Sequence, residues 1–213
     1  MKLLAINGSP RKNKSTGSLL EKVIEGAESK NVHGELVHLS NLKFRGCVSC
    51  FQCKLQGGKH YGRCAINDEL TPVLVKAHEA DVLVLGAPFY FSAEAALMRS
   101  CMERLWFQYY LYTSKKPPLS PRKKATALLY TMNVREEDIP AYRQDGIIEI
   151  SKGVMEKLFA PCEVLLCCDT KQFDDYSKYE VDVFNVEEKL RKFEHVFPQD
   201  LERAYDLGVR IVS

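Results

Sequence analysis

The chain is short of net charge, of tryptophan and of long apolar runs, and it lacks the dinucleotide glycine motif. Lys and Arg total 30 against 28 Asp and Glu, a net charge of +2. A dedicated nucleic-acid binder carries a clearly basic domain, so no nucleic-acid partner is expected. No apolar stretch approaches the roughly 18 residues of a membrane span, and no membrane association is expected. The N-terminal apolar stretch, Leu3 to Ile6, is too short for a signal-peptide core, which makes the cytoplasm the expected location. GxGxxG is absent, because Pro10 stands where its second glycine would be. His33, His38, His60, His78 and His195 are scattered, with no pair at metal-ligand spacing.

What is present describes a folded chain. The 213 residues suit one domain, 1–213, ending in helices over 187–211. Hydrophobic residues make up 46%, enough to bury a core, so dominant disorder is excluded. A chain of this length needs no disulfide or metal staple.

Short apolar runs alternate with helical periods. Strands are expected at 3–6, 35–39, 81–86, 125–131 and 163–168. The run at 81–86 is continuously apolar, as suits a parallel strand covered on both faces. Helices are expected over 15–29, 94–107 and 147–159, with an interruption of the last helical stretch at Phe197-Pro198. Another should run from a Thr71 cap and Pro72 to about Glu79. Residues 41–67 and 113–124 read as loops. Alternating strands and helices imply an α/β three-layer sandwich. Five parallel strands fit the flavodoxin-like order 2-1-3-4-5, whose ligands sit beyond the carboxyl ends of the strands.

The loop after the first strand, Gly8 to Ser18, concentrates hydroxyls and cations. Ser9, Ser15, Thr16 and Ser18 can donate to phosphate oxygens, Arg11 adds a planar donor fork, and the helix start supplies free N–H groups. The plain alternative is a polar turn with a Ser or Thr cap. A closer rival is a nucleotide-phosphate enzyme. Gly8, Lys14 and Ser15 match GxxxxGK[ST] except that Asn13 replaces the second glycine, and Val164–Asp169 imitates its magnesium-binding strand.

Cys47-x2-Cys50-x2-Cys53 followed after ten residues by Cys64 offers four thiols. The triplet has ferredoxin spacing and a cubane needs four ligands. Closing the glycine-bearing stretch between Cys53 and Cys64 costs about 1–2 kcal/mol per ordered residue. Free thiols are therefore favoured over a [4Fe–4S] cluster, with zinc third. Cys101, Cys162, Cys167 and Cys168 read as core.

MKLLAINGSPRKNKST together with LGAPFYFSAEAALMRSCMER resembles the flavodoxin-like NAD(P)H-dependent FMN reductase family. The cysteine-rich loop between them is similar to that of its iron-sulfur flavoprotein branch, although related reductases keep such cysteines without a cluster. The resemblance covers about residues 1–112. It implies that Ser9, Arg11, Ser15 and Thr16 hold the FMN phosphate; the family often has Asn at the position of Ser15. It implies that Pro88, Phe89, Tyr90 and Phe91 lie along the isoalloxazine ring, where a flat π-system suits aromatic contact. It also places backbone amides of Thr131, Met132 and Asn133 near the pyrimidine edge. Glu103-Arg104 matches a structural acidic-Arg pair, and 173–176 is either a surface loop or a cover over the site.

The expected function is thus an FMN-dependent oxidoreductase. It would pass hydride from NAD(P)H to FMN and on to a small-molecule acceptor such as a flavin or quinone. The alternatives are a flavodoxin-type or iron-sulfur electron carrier and, behind it, the nucleotide-phosphate enzyme. The cofactor carries the chemistry, so no catalytic acid or base is named. Leu105, Trp106, Phe107, Tyr109, Tyr110, Leu111 and Tyr112 crowd one segment, which points to a homodimer or homotetramer.

Overall fold

The computed structural model describes residues 1–120 and 122–213; residue 121, within the expected loop 113–124, lies outside the described residues. Among the described residues six strands form: β1 Lys2–Asn7, β2 His33–His38, β3 Val82–Tyr90, β4 Ala93–Glu94, β5 Ala125–Thr131 and β6 Cys162–Cys167. Five α-helices accompany them: α1 Ser15–Glu28, α2 Thr71–Glu79, α3 Ala96–Tyr109, α4 Gln144–Leu158 and α5 Val186–Ile211. The parallel order is β2-β1-β3-β5-β6, and β4 pairs antiparallel with the end of β3. With that two-residue strand set aside, this is the flavodoxin-like order expected from the sequence.

The apolar strands are two-sided, and the two faces bury different partners. Leu4, Ile6, Leu83, Leu85, Leu128 and Tyr130 pack with Leu74, Met98, Leu105 and Met155 of α2, α3 and α4. Leu3, Ala5, Val82, Val84, Ala127 and Leu129 pack with Leu19, Leu20, Val23 and Leu207 of α1 and α5. Helices α1 and α5 meet backbone to backbone. A Cβ on Gly26 would lie 2.0 Å from the Tyr205 carbonyl oxygen, and one on Gly208 would lie 2.0 Å from that of Val23.

Three local expectations are corrected. Helix α5 runs unbroken through Pro198. Pro198 lacks the N–H that would reach Glu194, but both residues are exposed, so the freed carbonyl faces water. Stacked Phe193 and Phe197 (centroids 4.7 Å apart) and buried Ala204 and Leu207 hold the helix on either side. Thr71 does not cap α2; its hydroxyl donates to Ile66 O at 2.8 Å and accepts from Asp68 N at 3.1 Å. The third correction concerns β3, which continues four residues past Gly86. Pro88 pairs with Thr131, and Phe89 and Tyr90 turn back onto Glu94 and Ala93.

Candidate functional site

The carboxyl ends of β1, β3, β5 and β6 surround a cleft of about 120 Å³. Its first wall is the β1–α1 loop. Asn7 organises this loop: its Oδ1 accepts from Ser9 N at 2.9 Å, and its Nδ2 contacts Lys12 O at 3.3 Å and His38 Nδ1 at 3.1 Å. Burial and nearby Lys12 lower the His38 pKa. Two glycines permit the close packing. A Cβ on Gly8 would fall 2.4 Å from Met98 Cβ, and one on Gly17 would fall 2.0 Å from Lys12 O.

Helix α1 starts at this loop with an extended N-cap, Lys14, no side-chain cap and no acidic residue in its first turn. Its leading N–H groups are free for an anion. A Ser- or Thr-capped turn, the plain alternative, is therefore not what forms. Ser9 Oγ donates to Arg11 O and accepts from Arg11 N, both at 3.1 Å, which ties the loop to itself. Thr16 Oγ1 lies 2.8 Å from Thr131 Oγ1, joining the first wall to the β5 loop.

The second wall is the end of β3. Pro88, Phe89 and Tyr90 line the cleft, and Phe89 packs edge-on against Tyr130 with centroids 4.6 Å apart. Phe91 and Ser92 form the hairpin tip with φ of 50° and 64°. Positive φ at both central residues is the type I′ geometry that Asn-Gly adopts readily and Phe-Ser does not. The hairpin root is pinned by buried Glu94, whose Oε1 accepts from Tyr130 OH at 3.0 Å and Ser151 Oγ at 2.6 Å. Phe91 points fully into solvent and does not line the cleft. Ser18 is also off the cleft, one turn up α1 with its N–H on Lys14 O. The other ten expected residues, Ser9, Arg11, Ser15, Thr16, Pro88, Phe89, Tyr90, Thr131, Met132 and Asn133, come together there.

Thr170, Lys171 and Gln172, after β6, complete the wall together with Lys14. Arg11 donates to Gln172 O, and Lys14 pairs with Asp174 at 2.7 Å. The segment 173–176 thus folds against the first loop. Sequence reasoning missed 170–172 because nothing in that stretch repeats or matches a motif. The fold rule that ligands sit beyond strand ends, applied to the last strand, would have found it.

The cysteine loop lies elsewhere, against α3. Cys47, Cys50, Cys53 and Cys64 all line one tight pocket of about 20 Å³, bordered by Phe51, Phe107 and Arg104. Gly57 and Gly62, both at φ 75°, make the return, and Gly62 N donates to Cys53 O at 3.0 Å. Arg104 is the anchor. Its Nε donates to Cys64 Sγ at 3.3 Å and its Nη1 to Asp68 at 2.6 Å, with Nη2 on Ile66 O at 3.2 Å. Burial raises the Cys53 pKa, and neighbouring Lys54 offsets this in part. Among the described residues no three His, Cys, Asp or Glu side chains are placed to share a single metal ion. Cys101, Cys162 and Cys167 are buried and Cys168 is half-buried.

Residues 1–137 match the family described as NADPH-dependent FMN reductase. The chain belongs to that family. An iron-sulfur flavoprotein of Archaeoglobus fulgidus is 36% identical over 104 residues, 49% of this chain and 48% of the relative. One of Methanocaldococcus jannaschii is 31% identical over 104 residues, 49% of this chain and 51% of the relative. The chain thus spans about half the length of these curated relatives. The solved NAD(P)H:quinone oxidoreductase from Methanothermobacter marburgensis shares the fold, with a TM-score of 0.65 at 18% identity over 100% of this chain and 98% of that one.

Within this FMN reductase family fold, the nucleotide-phosphate rival loses its metal ligand. Asp169, the aspartate that would hold magnesium, is paired with Lys189 at 2.6 Å and Lys192 at 3.3 Å. Burial pushes its carboxyl up, but these two ammonium groups outweigh that and hold it below the usual carboxylate range. The aromatic segment 105–112 divides. Leu105 and Tyr109 are core, while Phe107, Tyr110 and Tyr112 form an edge-on cluster reaching the surface beside Phe51. No helix among the described residues is long and apolar enough to cross a membrane.

Proposed function

We propose that this protein binds FMN noncovalently in the cleft and acts as an NAD(P)H-dependent oxidoreductase that passes electrons to a small-molecule acceptor such as a flavin or quinone. The observation that carries the reading is the uncapped start of α1, with free N–H groups, at the end of a cleft walled by Pro88, Phe89 and Tyr90. A phosphate suits the first feature and a flat aromatic ring the second. Ser9, Arg11, Ser15 and Thr16 would hold the phosphate; Pro88, Phe89 and Tyr90 would pack on the ring; the 131–133 loop would face its polar edge. Bound FMN supplies an acceptor for the nicotinamide hydride at N5. The chain contributes position, an aromatic wall and backbone donors for developing negative charge.

The test is an FMN titration of wild type against Ser9→Ala/Thr16→Ala. Weakened FMN retention in the variant supports the reading. Tight magnesium-dependent ATP binding with no flavin affinity overturns it.

The convergence of Cys64 with the triplet favours a second reading for the cysteine loop. That reading is a [4Fe–4S] cluster held by Cys47, Cys50, Cys53 and Cys64, which all line the one pocket. Hydride transfer to flavin needs no cluster; a cluster serves only if electrons leave singly. Anaerobic purification with iron and sulfide analysis separates the readings. The primary reading expects Cys64→Ser to keep FMN content and NAD(P)H oxidation nearly intact. Four iron and four sulfide per chain, lost with activity in Cys64→Ser, establish the second. The exposed aromatic cluster at Tyr112 and Phe51 supports a homodimer or homotetramer, which light scattering at micromolar concentration checks.

A further inference from the structure

Lys189 stands in the first turns of α5 with its side chain only 2% exposed. A buried ammonium must be paired. Its Nζ reaches Asp169 Oδ1 at 2.6 Å, Asn133 Oδ1, and the face of Phe184 at 4.9 Å. Asn133 belongs to the loop after β5 and Asp169 to the loop after β6. The two loops are also bonded to each other, Asp169 N to Val134 O and Thr170 N to Met132 O, both at 2.9 Å. Lys189 therefore sits where two walls of the cleft join.

The chemistry of the contact fixes an orientation. An ammonium only donates, so the Asn133 atom facing Lys189 is the carbonyl oxygen. The amide nitrogen, with its two N–H donors, takes no part in that contact, and exposed Asn133 borders both the cleft and the neighbouring pocket lined by Lys189 and Asp169. The Asn133 side chain makes no other hydrogen bond among the described residues, and it lines the cleft. With nothing donor-only behind it, the amide would be free to turn its oxygen inward.

We propose that Lys189 is a positioning residue: by holding the Asn133 carbonyl, it turns the Asn133 N–H donors toward the cleft and a carbonyl or ring-nitrogen acceptor of the flavin. This deepens the proposed function and rests on FMN occupying the cleft. Donors aimed at that edge are stronger where negative charge has accumulated. The pair therefore favours reduced over oxidised FMN. It had no signature in the sequence, since Lys189 is one of several lysines on a charged helix.

The experiment measures dissociation constants for oxidised and for chemically reduced FMN under anaerobic conditions. The proteins are wild type, Lys189→Met, Asn133→Leu and the double variant. In each single variant the reduced-to-oxidised Kd ratio should rise about tenfold, the worth of one hydrogen bond to a charged group. The double variant should match Asn133→Leu, because Lys189 acts through Asn133. Lys189→Gln, which still offers a donor to Asn133, should keep most of the wild-type ratio. Should Lys189→Met fail to fold with Asp169 left unpaired, Asn133→Asp keeps Lys189 paired and turns an acceptor inward; it should raise the ratio further. An unchanged ratio in Lys189→Met or Asn133→Asp, or additive losses in the double variant, overturns the proposal. Wild type that binds neither form of FMN overturns the cofactor assignment instead.

Discussion

Gly17→Ala sets two effects of opposite sign against each other. Gly17 lies in the first turn of α1, where alanine is the better helix former by about 1 kcal/mol or less. Propensity alone therefore predicts a more stable protein. The packing predicts the reverse. The added Cβ would sit 2.0 Å from Lys12 O, with Asn7 Nδ2 at 3.3 Å. Relief to normal contact requires the loop backbone to retreat by about 1 Å, an overpacking cost of about 1–3 kcal/mol. That movement also draws Lys12 O away from the Asn7 amide that organises the loop. The net expectation is a loss of about 1–2 kcal/mol, read as a Tm lower by roughly 2–8 °C for a chain of this size. FMN affinity should fall about tenfold, the equivalent of one charge-assisted hydrogen bond to phosphate. Thermal unfolding without flavin and a fluorescence-quenching titration with FMN measure the two quantities separately. A higher Tm with unchanged FMN affinity would refute the close-packed loop and the reasoning built on it.

Three further expectations follow from other parts of the molecule. Lys124 is buried and donates to Ala77 O, His78 O and Ala80 O at 2.6, 3.2 and 2.7 Å, closing the end of α2; Lys124→Met should lower stability by about 2–3 kcal/mol in urea unfolding, and a neutral result would remove that role. Burial pulls the Asp68 pKa up, but the Arg104 guanidinium and two backbone N–H groups outweigh it and hold the carboxyl low. Its stabilisation is full above the ordinary carboxylate value and disappears as pH falls through the lower folded value. Wild-type stability should therefore drop more steeply than that of Asp68→Asn below about pH 4, and parallel curves would show the pair to be idle. Phe91→Asn/Ser92→Gly places residues suited to positive φ at an exposed tip and should raise Tm by a few degrees; a lower Tm would mean the tip contacts something the isolated chain does not contain.

The sheet was legible because its strands are continuous apolar runs. Val82–Leu85 and Ala127–Tyr130 are buried on both faces, and that pattern states a parallel sheet without help from long-range contacts. Local punctuation was less reliable. The third strand was expected to end at Gly86, yet Pro88 makes the last parallel pairing and the hairpin that follows keeps the strand going. Pro198 signalled a break, yet its lost bond faces water. Ser9, Arg11, Ser15 and Thr16 were legible as hydroxyls and a cation just after the first strand, while Pro88 to Tyr90 and 131–133 came with the family resemblance. Lys189 and 170–172 were not legible, because their roles depend on which loops meet in space. The return of Cys64 to the triplet's pocket was not legible either. Arg104 and Asp68 hold the segment around it, and that pair, buried at its Arg104 end, is a tertiary contact no spacing reveals.

Anaerobic addition of NADH or NADPH to the FMN-loaded protein, followed in the flavin absorption band, tests the central claim most directly. The account predicts about one FMN per chain, held through gel filtration, and bleaching of the band by one or both nucleotides, with colour restored by an added quinone or free flavin. A protein that retains no FMN, or whose bound FMN neither nucleotide bleaches, would contradict it.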